Sequence, residues 1–241
     1  MASRTYYQIL GVSRDATLEE ITNAKNALAK VYHPDVNMQN GIDTTAQMQE
    51  ILEAYRVLSN PEKRKNYDKE LGGGTVRVFR TFDLGKEFEK DSGSSDVQDE
   101  HSFVTYWNAA SKLHEVVKRS SWLLERESRR ESIPIKIMKR IGKMPKTEQR
   151  LESQLNALSI QALQYITLLK SAGIPMEYWT PEAMNWVLIR WGQNQSVDFL
   201  TIFAQYDAFV NQKKTTAEKA KMRSQTKQFH GKLKKLLTYA I

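Results

Sequence analysis

The sequence predicts an all-α protein in two parts: a small N-terminal helical domain and a separate α-helical C-terminal domain. Three observations predict it. Apolar residues recur every three or four positions in most segments, the period of a helix with one buried face. Helix starts and stops are written locally, as a Thr-x-x-Glu box, a proline in a first turn or a glycine after a last one. Strand signals are scarce, and residues 72–100, rich in Gly, Ser and acid over their second half, divide the two helical parts.

The elements follow in order. Tyr6, Tyr7, Ile9 and Leu10 form a short apolar helix that stops at Gly11. Thr17-Leu18-Glu19-Glu20 is a capping box, and Leu18, Ile21, Ala24, Leu28 and Tyr32 then share one face over about four turns. His33-Pro34-Asp35 comes next. Pro34 has no backbone N–H, and it biases His33 toward an extended conformation, so the helix ends in a stiff, exposed corner carrying an imidazole and a carboxylate. A second long helix begins near Thr44, with Met48, Ile51, Ala54, Tyr55 and Leu58 on one face. Asn60-Pro61 opens a short basic helix, Glu62 to Leu71. The two long helices are expected to pack antiparallel with the short ones flanking them.

Four motifs in this stretch have a family resemblance: Tyr6-Tyr7-Gln8-Ile9-Leu10-Gly11-Val12, Tyr32-His33-Pro34-Asp35, Glu53 to Arg64 and Tyr67-Asp68. In this order and spacing they resemble the J domain of the DnaJ co-chaperone family, over roughly residues 4–71. The resemblance implies a mechanism. The J domain binds a DnaK-type chaperone where its nucleotide-binding domain meets the interdomain linker, and stimulates ATP hydrolysis. The carboxylate matching Asp35 disturbs a polar contact in the chaperone, and the residues matching His33 and Pro34 hold it in place. The implied chaperone-binding residues are His33, Pro34, Asp35, Lys25, Lys30, Asn37, Lys63 and Arg64. Such a protein acts by shifting its partner's conformational populations, so it needs no catalytic residue, cofactor or metal of its own.

One departure from the family pattern bears on that partner. The helix before the corner usually carries a dense basic face, but residues 22–27 read Thr22-Asn23-Ala24-Lys25-Asn26-Ala27, and Lys30 is the next cation. Residues 1–71 hold 9 Lys and Arg against 10 Asp and Glu. Steering charge raises association rates and sets register more than it sets affinity. Weaker or more selective chaperone engagement is expected.

The chain has no cysteine, which excludes disulfides, thiolate metal sites and the zinc-binding repeats of larger DnaJ proteins. The Gly/Phe-rich spacer of those proteins is also lacking, apart from Gly72-Gly73-Gly74. The chain therefore resembles the third class of the family, a J domain joined to an unrelated module. Met1-Ala2-Ser3-Arg4 leads almost directly into the J domain, leaving no room for a signal or transit peptide, and no apolar run approaches the ~20 residues that span a bilayer. A soluble, cytoplasmic protein is expected. Within the linker, Val76–Phe82 is apolar enough to dock as a short extended segment, with a flexible tether carrying incidental aromatics as the alternative.

Residues 101–241 are expected to form the client- or partner-binding domain. Helices are predicted from Phe103 to near Ser132 and over Thr147–Ala172 with Leu151, Leu155, Leu158, Leu163, Ile166 and Leu169 inward. Others are predicted from Pro181 to Gly192, over Val197–Asn211 and over Thr216–Tyr239. Trp179, Trp186 and Trp191, with Tyr178, read as the anchor of a helical core; an exposed aromatic groove for client segments is the alternative.

Charge is unevenly placed. Residues 211–241 hold 9 Lys and Arg against the single acid Glu218, and residues 112–150 hold 12 against 5. Arg129, Arg130, Lys139, Arg140, Lys232, Lys234 and Lys235 are the candidates for an anionic partner. Nucleic acid is drawn by such patches, but the tail lacks aromatics suited to base stacking. Phe229, Leu233, Leu236, Leu237 and Ile241 make an apolar stripe beside those lysines, suited to an anionic membrane, to an acidic protein, or to packing on its own domain. The four histidines His33, His101, His114 and His230 lack metal-ligand spacing, and no Gly-rich phosphate loop occurs, so the chain does not read as an enzyme. Three functions follow: a co-chaperone for a DnaK-type ATPase, an assembly adaptor with weak or lost chaperone coupling, and a nucleic-acid-associated factor.

Overall fold

In the computed structural model, residues 4–38, 42–71, 102–130 and 146–240 are described. The linker with its candidate docking segment lies outside them, as do Lys139, Arg140 and the side chains of Arg129 and Arg130. The fold is all-helical, with no strand among the described residues. The order is α1 (Tyr6–Leu10), α2 (Leu18–Val31), α3 (Pro34–Met38), α4 (Thr45–Leu58), α5 (Pro61–Glu70), α6 (Phe103–Arg130), α7 (Lys146–Ser171), a 3-10 turn (Met176–Tyr178), α8 (Pro181–Gln193), α9 (Phe199–Lys213) and α10 (Thr216–Leu237).

Local chemistry sets most of these boundaries. Thr5, Thr17 and Thr215 close full capping boxes with Gln8, Glu20 and Glu218, and Asn60 accepts from the N–H groups of Glu62 and Lys63 ahead of Pro61. α7 ends in a Schellman motif: Gly173 has φ +68°, its N–H reaches the Lys170 carbonyl, and the Ile174 N–H reaches that of Leu169.

The chain forms two compact units. The first comprises Met1–Asn108 with Leu188–Phe199, and the second Ala109–Val187 with Leu200–Ile241. In the first unit α4 packs against α1, α2 and α5, burying Leu10, Ile21, Ala24, Leu28, Ile51, Ala54 and Leu58. Leu18, expected on this face, is 56% exposed: it is the first residue of α2, beside Leu58 and Pro61 at the rim of the packing. Phe103 and Trp191, with ring centroids 6.0 Å apart, extend this core.

In the second unit α10 packs on α7, and Asn156 Nδ2 donates to the Tyr239 carbonyl at 3.0 Å. The buried seam of α7 runs Leu155, Leu158, Ala162, Ile166 and Leu169. Leu163, expected inward, is exposed, because Ala162 takes the inward place one position earlier. Trp179 is fully buried and donates its indole N–H to the Ile174 carbonyl, while Trp186 is half-buried against Tyr206 and Phe209. Of the three tryptophans, Trp179 and Trp186 fall in this unit and Trp191 in the first.

Candidate functional site: the corner between α2 and α4

α2 ends at Val31, Tyr32 caps it through an N–H to the Leu28 carbonyl, and Pro34 starts the short helix α3. Pro34 thus opens a new helical turn, as a first-position proline does, rather than leaving an irregular loop. Asp35 falls in that first turn, its side chain 85% exposed, and the His33 ring is half exposed. His33 Nδ1 and Asp35 Oδ2 lie 3.9 Å apart.

The backbone beneath these two side chains is held at three successive carbonyls. Asn37 Nδ2 donates to the carbonyls of Val31 (2.8 Å) and His33 (3.0 Å), and Thr44 Oγ1 donates to that of Tyr32 (2.8 Å). Asn37 and Thr44 are both buried. Sequence reasoning placed Asn37 among contact residues and Thr44 at a helix start. Asn37 instead faces inward and positions the corner, and the Thr44 hydroxyl serves the corner, giving α4 no side-chain cap. Nothing in the neighbouring sequence, with Asp43 and Thr45 on either side, marks Thr44 for this role.

Tyr32 anchors the corner from below. Its hydroxyl donates to the Leu188 carbonyl at 2.8 Å, and burial pushes its phenol well above the usual tyrosine range. Gly192 is the reason the ring fits: a Cβ there would lie 2.7 Å from the Tyr32 hydroxyl. Nearby, Gln47 Nε2 donates to the Gly192 carbonyl, Arg4 lies over the Trp191 ring, and Asn108 Nδ2 donates to the carbonyls of Leu10 and Gly11. Sequence reasoning missed all of these.

The remaining candidates divide. Lys30 and Lys63 are exposed. Lys25 lies 5.0 Å from the Tyr55 ring centroid and donates to Asn26 Oδ1. Arg64 turns inward, donating through Nε to the Tyr7 hydroxyl and through its other nitrogens to the carbonyls of Ala16 and Arg14. It ties α5 to α1 and the following loop, beside a Tyr7–Asp68 hydrogen bond. Lys232, Lys234 and Lys235 are exposed on α10, whereas Phe229, Leu233 and Leu236 of its apolar stripe are buried in the second unit. Among the described residues no group of His, Cys, Asp and Glu could hold a metal ion, and no helix is long and apolar enough to cross a membrane.

A family model of the DnaJ domain matches residues 5–68. This stretch is a J domain. It is 48% identical over 82 residues to the chaperone protein DnaJ of Hydrogenobacter thermophilus, covering 34% of this chain and 22% of that protein. Chaperone protein DnaJ of Thermosipho africanus is 54% identical over 69 residues, covering 29% and 18%; that of Staphylococcus carnosus is 51% identical over the same length and shares. The chain thus spans about a fifth of the length of these relatives. No solved structure matches it. The match ends within the J domain's last helix, so the helices from α6 onward are unrecognised.

Proposed function

We propose that the chain is a co-chaperone that stimulates ATP hydrolysis by a DnaK-type chaperone through the J domain, and that residues 101–241 recruit a specific client or site. The observation that carries the reading is the corner: an exposed Asp35 carboxylate on a backbone whose three preceding carbonyls, apart from that of Pro34, are held by buried side chains. A carboxylate that must reach into a partner's polar contact works best when its own position needs no reorganisation on binding. Lys30, one turn before His33, is an exposed cation beside it for an acidic partner surface, whereas exposed Lys63 follows the far end of α4. The protein acts on its partner's ATPase, in the cytoplasm where a DnaK-type partner is met.

The test is single-turnover ATP hydrolysis by a DnaK-type chaperone with the full chain and with Asp35→Asn. The substitution is at an exposed, isosteric position, so helicity stays unchanged while stimulation is expected to vanish. Stimulation that persists in the variant overturns the assigned role of Asp35. Absence of stimulation by the native chain, with several partners tried, favours the second reading, an assembly adaptor that keeps the J fold as a docking piece. The thin basic face of α2 supports that alternative: only Lys25 and Lys30 lie between Leu18 and the corner, and Lys25 is held against Tyr55.

A further inference from the structure

The second unit holds a groove of about 1160 Å³, larger than most small-molecule pockets, walled by α6, the start of α8, α9 and α10. Its floor is apolar, from Val117, Val210, Met222 and Phe229, and exposed Trp122 stands at its lip with Arg126 over the ring. A methionine in the floor adapts to differently shaped side chains, and tryptophan is among the residue types enriched at the energetic centres of protein contacts.

The walls differ in charge. Lys219, Arg223 and Lys227 follow one another at intervals of four along α10, forming one basic row on the groove. Like charges at this spacing repel; Lys219 donates to the Asn211 carbonyl, which leaves Arg223 and Lys227 as the outward cations of the row. Its single acid, Glu218, is engaged by the Thr215 cap and by Lys214. Two of the four acids that line the groove away from α10 have local reasons to be there. Glu182 lies in the first turn of α8, where a negative charge suits the helix end, and Asp207 accepts from the Tyr178 hydroxyl. The basic row is therefore the wall whose charge calls for a partner.

We infer that this groove binds an amphipathic helix of another protein, apolar on the face toward Met222 and Trp122, and acidic on the flank that meets α10. The acidic opposite wall disfavours a polyanion, which would meet Glu177 and Glu182, and it asks for a neutral or basic second flank. No strand edge exists among the described residues for an extended peptide to join, so helix-in-groove docking is the fitting mode. The inference deepens the co-chaperone reading by naming the chemistry of the client segment, and it rests on that reading only for calling the segment a client.

The experiment uses the full chain and no chaperone, so its failure is distinct from a failure of ATPase stimulation. Three labelled probes are titrated at low salt by fluorescence anisotropy: a helical peptide of ~14 residues (four turns) with a Leu/Phe seam, Glu on one flank and Lys on the other; the same peptide with Lys on both flanks; and oligouridine RNA. The split-flank peptide is expected to bind at least tenfold tighter than the all-Lys one, more weakly as salt rises, and at least tenfold less well after Met222→Lys. Arg223→Glu with Lys227→Glu, both exposed, makes both walls acidic and is expected to reverse the ranking. Equal affinities, no binding of either peptide, or an unreversed ranking overturns the inference. Tighter binding of oligouridine overturns it in favour of nucleic acid.

Discussion

Tyr32 and Gly192 make a pair whose coupling can be worked out in advance. Replacing Tyr32 with Phe removes one buried hydrogen bond, to the Leu188 carbonyl at 2.8 Å. That carbonyl lies in the interior of α8, four residues before Gly192, so it keeps a helical donor and the loss stays near ~1 kcal/mol. Gly192→Ala places a methyl 2.7 Å from the Tyr32 hydroxyl and 3.3 Å from two ring carbons. Overpacking of this kind costs ~1–3 kcal/mol, against a helix-propensity gain of ~0.5–1 kcal/mol, a net loss of up to about 2.5. In the Tyr32→Phe background the 2.7 Å contact is gone, and the same Gly192→Ala change is expected to be neutral or stabilising by up to ~1 kcal/mol. The double-mutant cycle should therefore show a coupling of ~1–3 kcal/mol, read from urea denaturation followed by circular dichroism. Tyr32 adjoins His33, so Gly192→Ala should also lower chaperone stimulation more than Tyr32→Phe does. Additivity within ~0.5 kcal/mol would refute the reasoning, because it would mean the hydroxyl and the glycine do not meet.

Two further outcomes follow from buried polar groups. Asn37→Ala removes the amide that holds the Val31 and His33 carbonyls and is expected to cost ~1–3 kcal/mol, with a lower plateau of ATPase stimulation that Asn37→Asp does not fully restore; unchanged stability and stimulation would refute its positioning role. His114 stacks on Phe229 and donates from Nε2 to the Trp179 carbonyl, and burial holds its imidazole below the usual histidine range, so the unfolded chain takes up the proton first as pH falls. Stability is then full above about pH 6.5 and declines below it, and a urea-midpoint series from about pH 7.5 to about pH 5.5 should show that decline weakened in His114→Gln.

The legible part of the fold was the part written in neighbouring residues. Thr17, Asn60, Pro181 and Gly173 each act within a few positions, and the helices they bound lie within about two residues of expectation. Inward faces were less secure: Leu163 is three residues from Ile166 but five from Leu158, whereas Ala162 is four from each and takes the buried place. At the site, His33-Pro34-Asp35 was legible as a motif, but what holds it was not. Tyr32 and its acceptor are 156 residues apart, and Thr44 lies 12 from the carbonyl it serves, distances at which no periodicity speaks. The resemblance puts Arg64 among the chaperone-binding residues. Three carbonyl and hydroxyl acceptors drew it inward instead.

The separation of those holding groups from the charged face of α2 leads to a last prediction. Asp35 is kept in place by Asn37, Thr44 and Tyr32, whose side-chain hydrogen bonds go to the Val31, His33, Tyr32 and Leu188 carbonyls and not to Thr22, Asn26 or Ala27. Encounter with a chaperone and the effect of each encounter are therefore set by different residues. Steering charge acts on the first, because it raises association rates over a Debye length of ~8–10 Å while leaving local geometry alone. Thr22→Lys, Asn26→Lys and Ala27→Lys together should lower the concentration of the chain needed for half-maximal ATPase stimulation, several-fold at low salt and less at high salt, with the plateau unchanged. A raised plateau would mean that α2 also shapes the productive complex. No change in either quantity would mean that this chain engages its chaperone without using that face, and the low charge of α2 would then reflect a different docking surface rather than a weaker one.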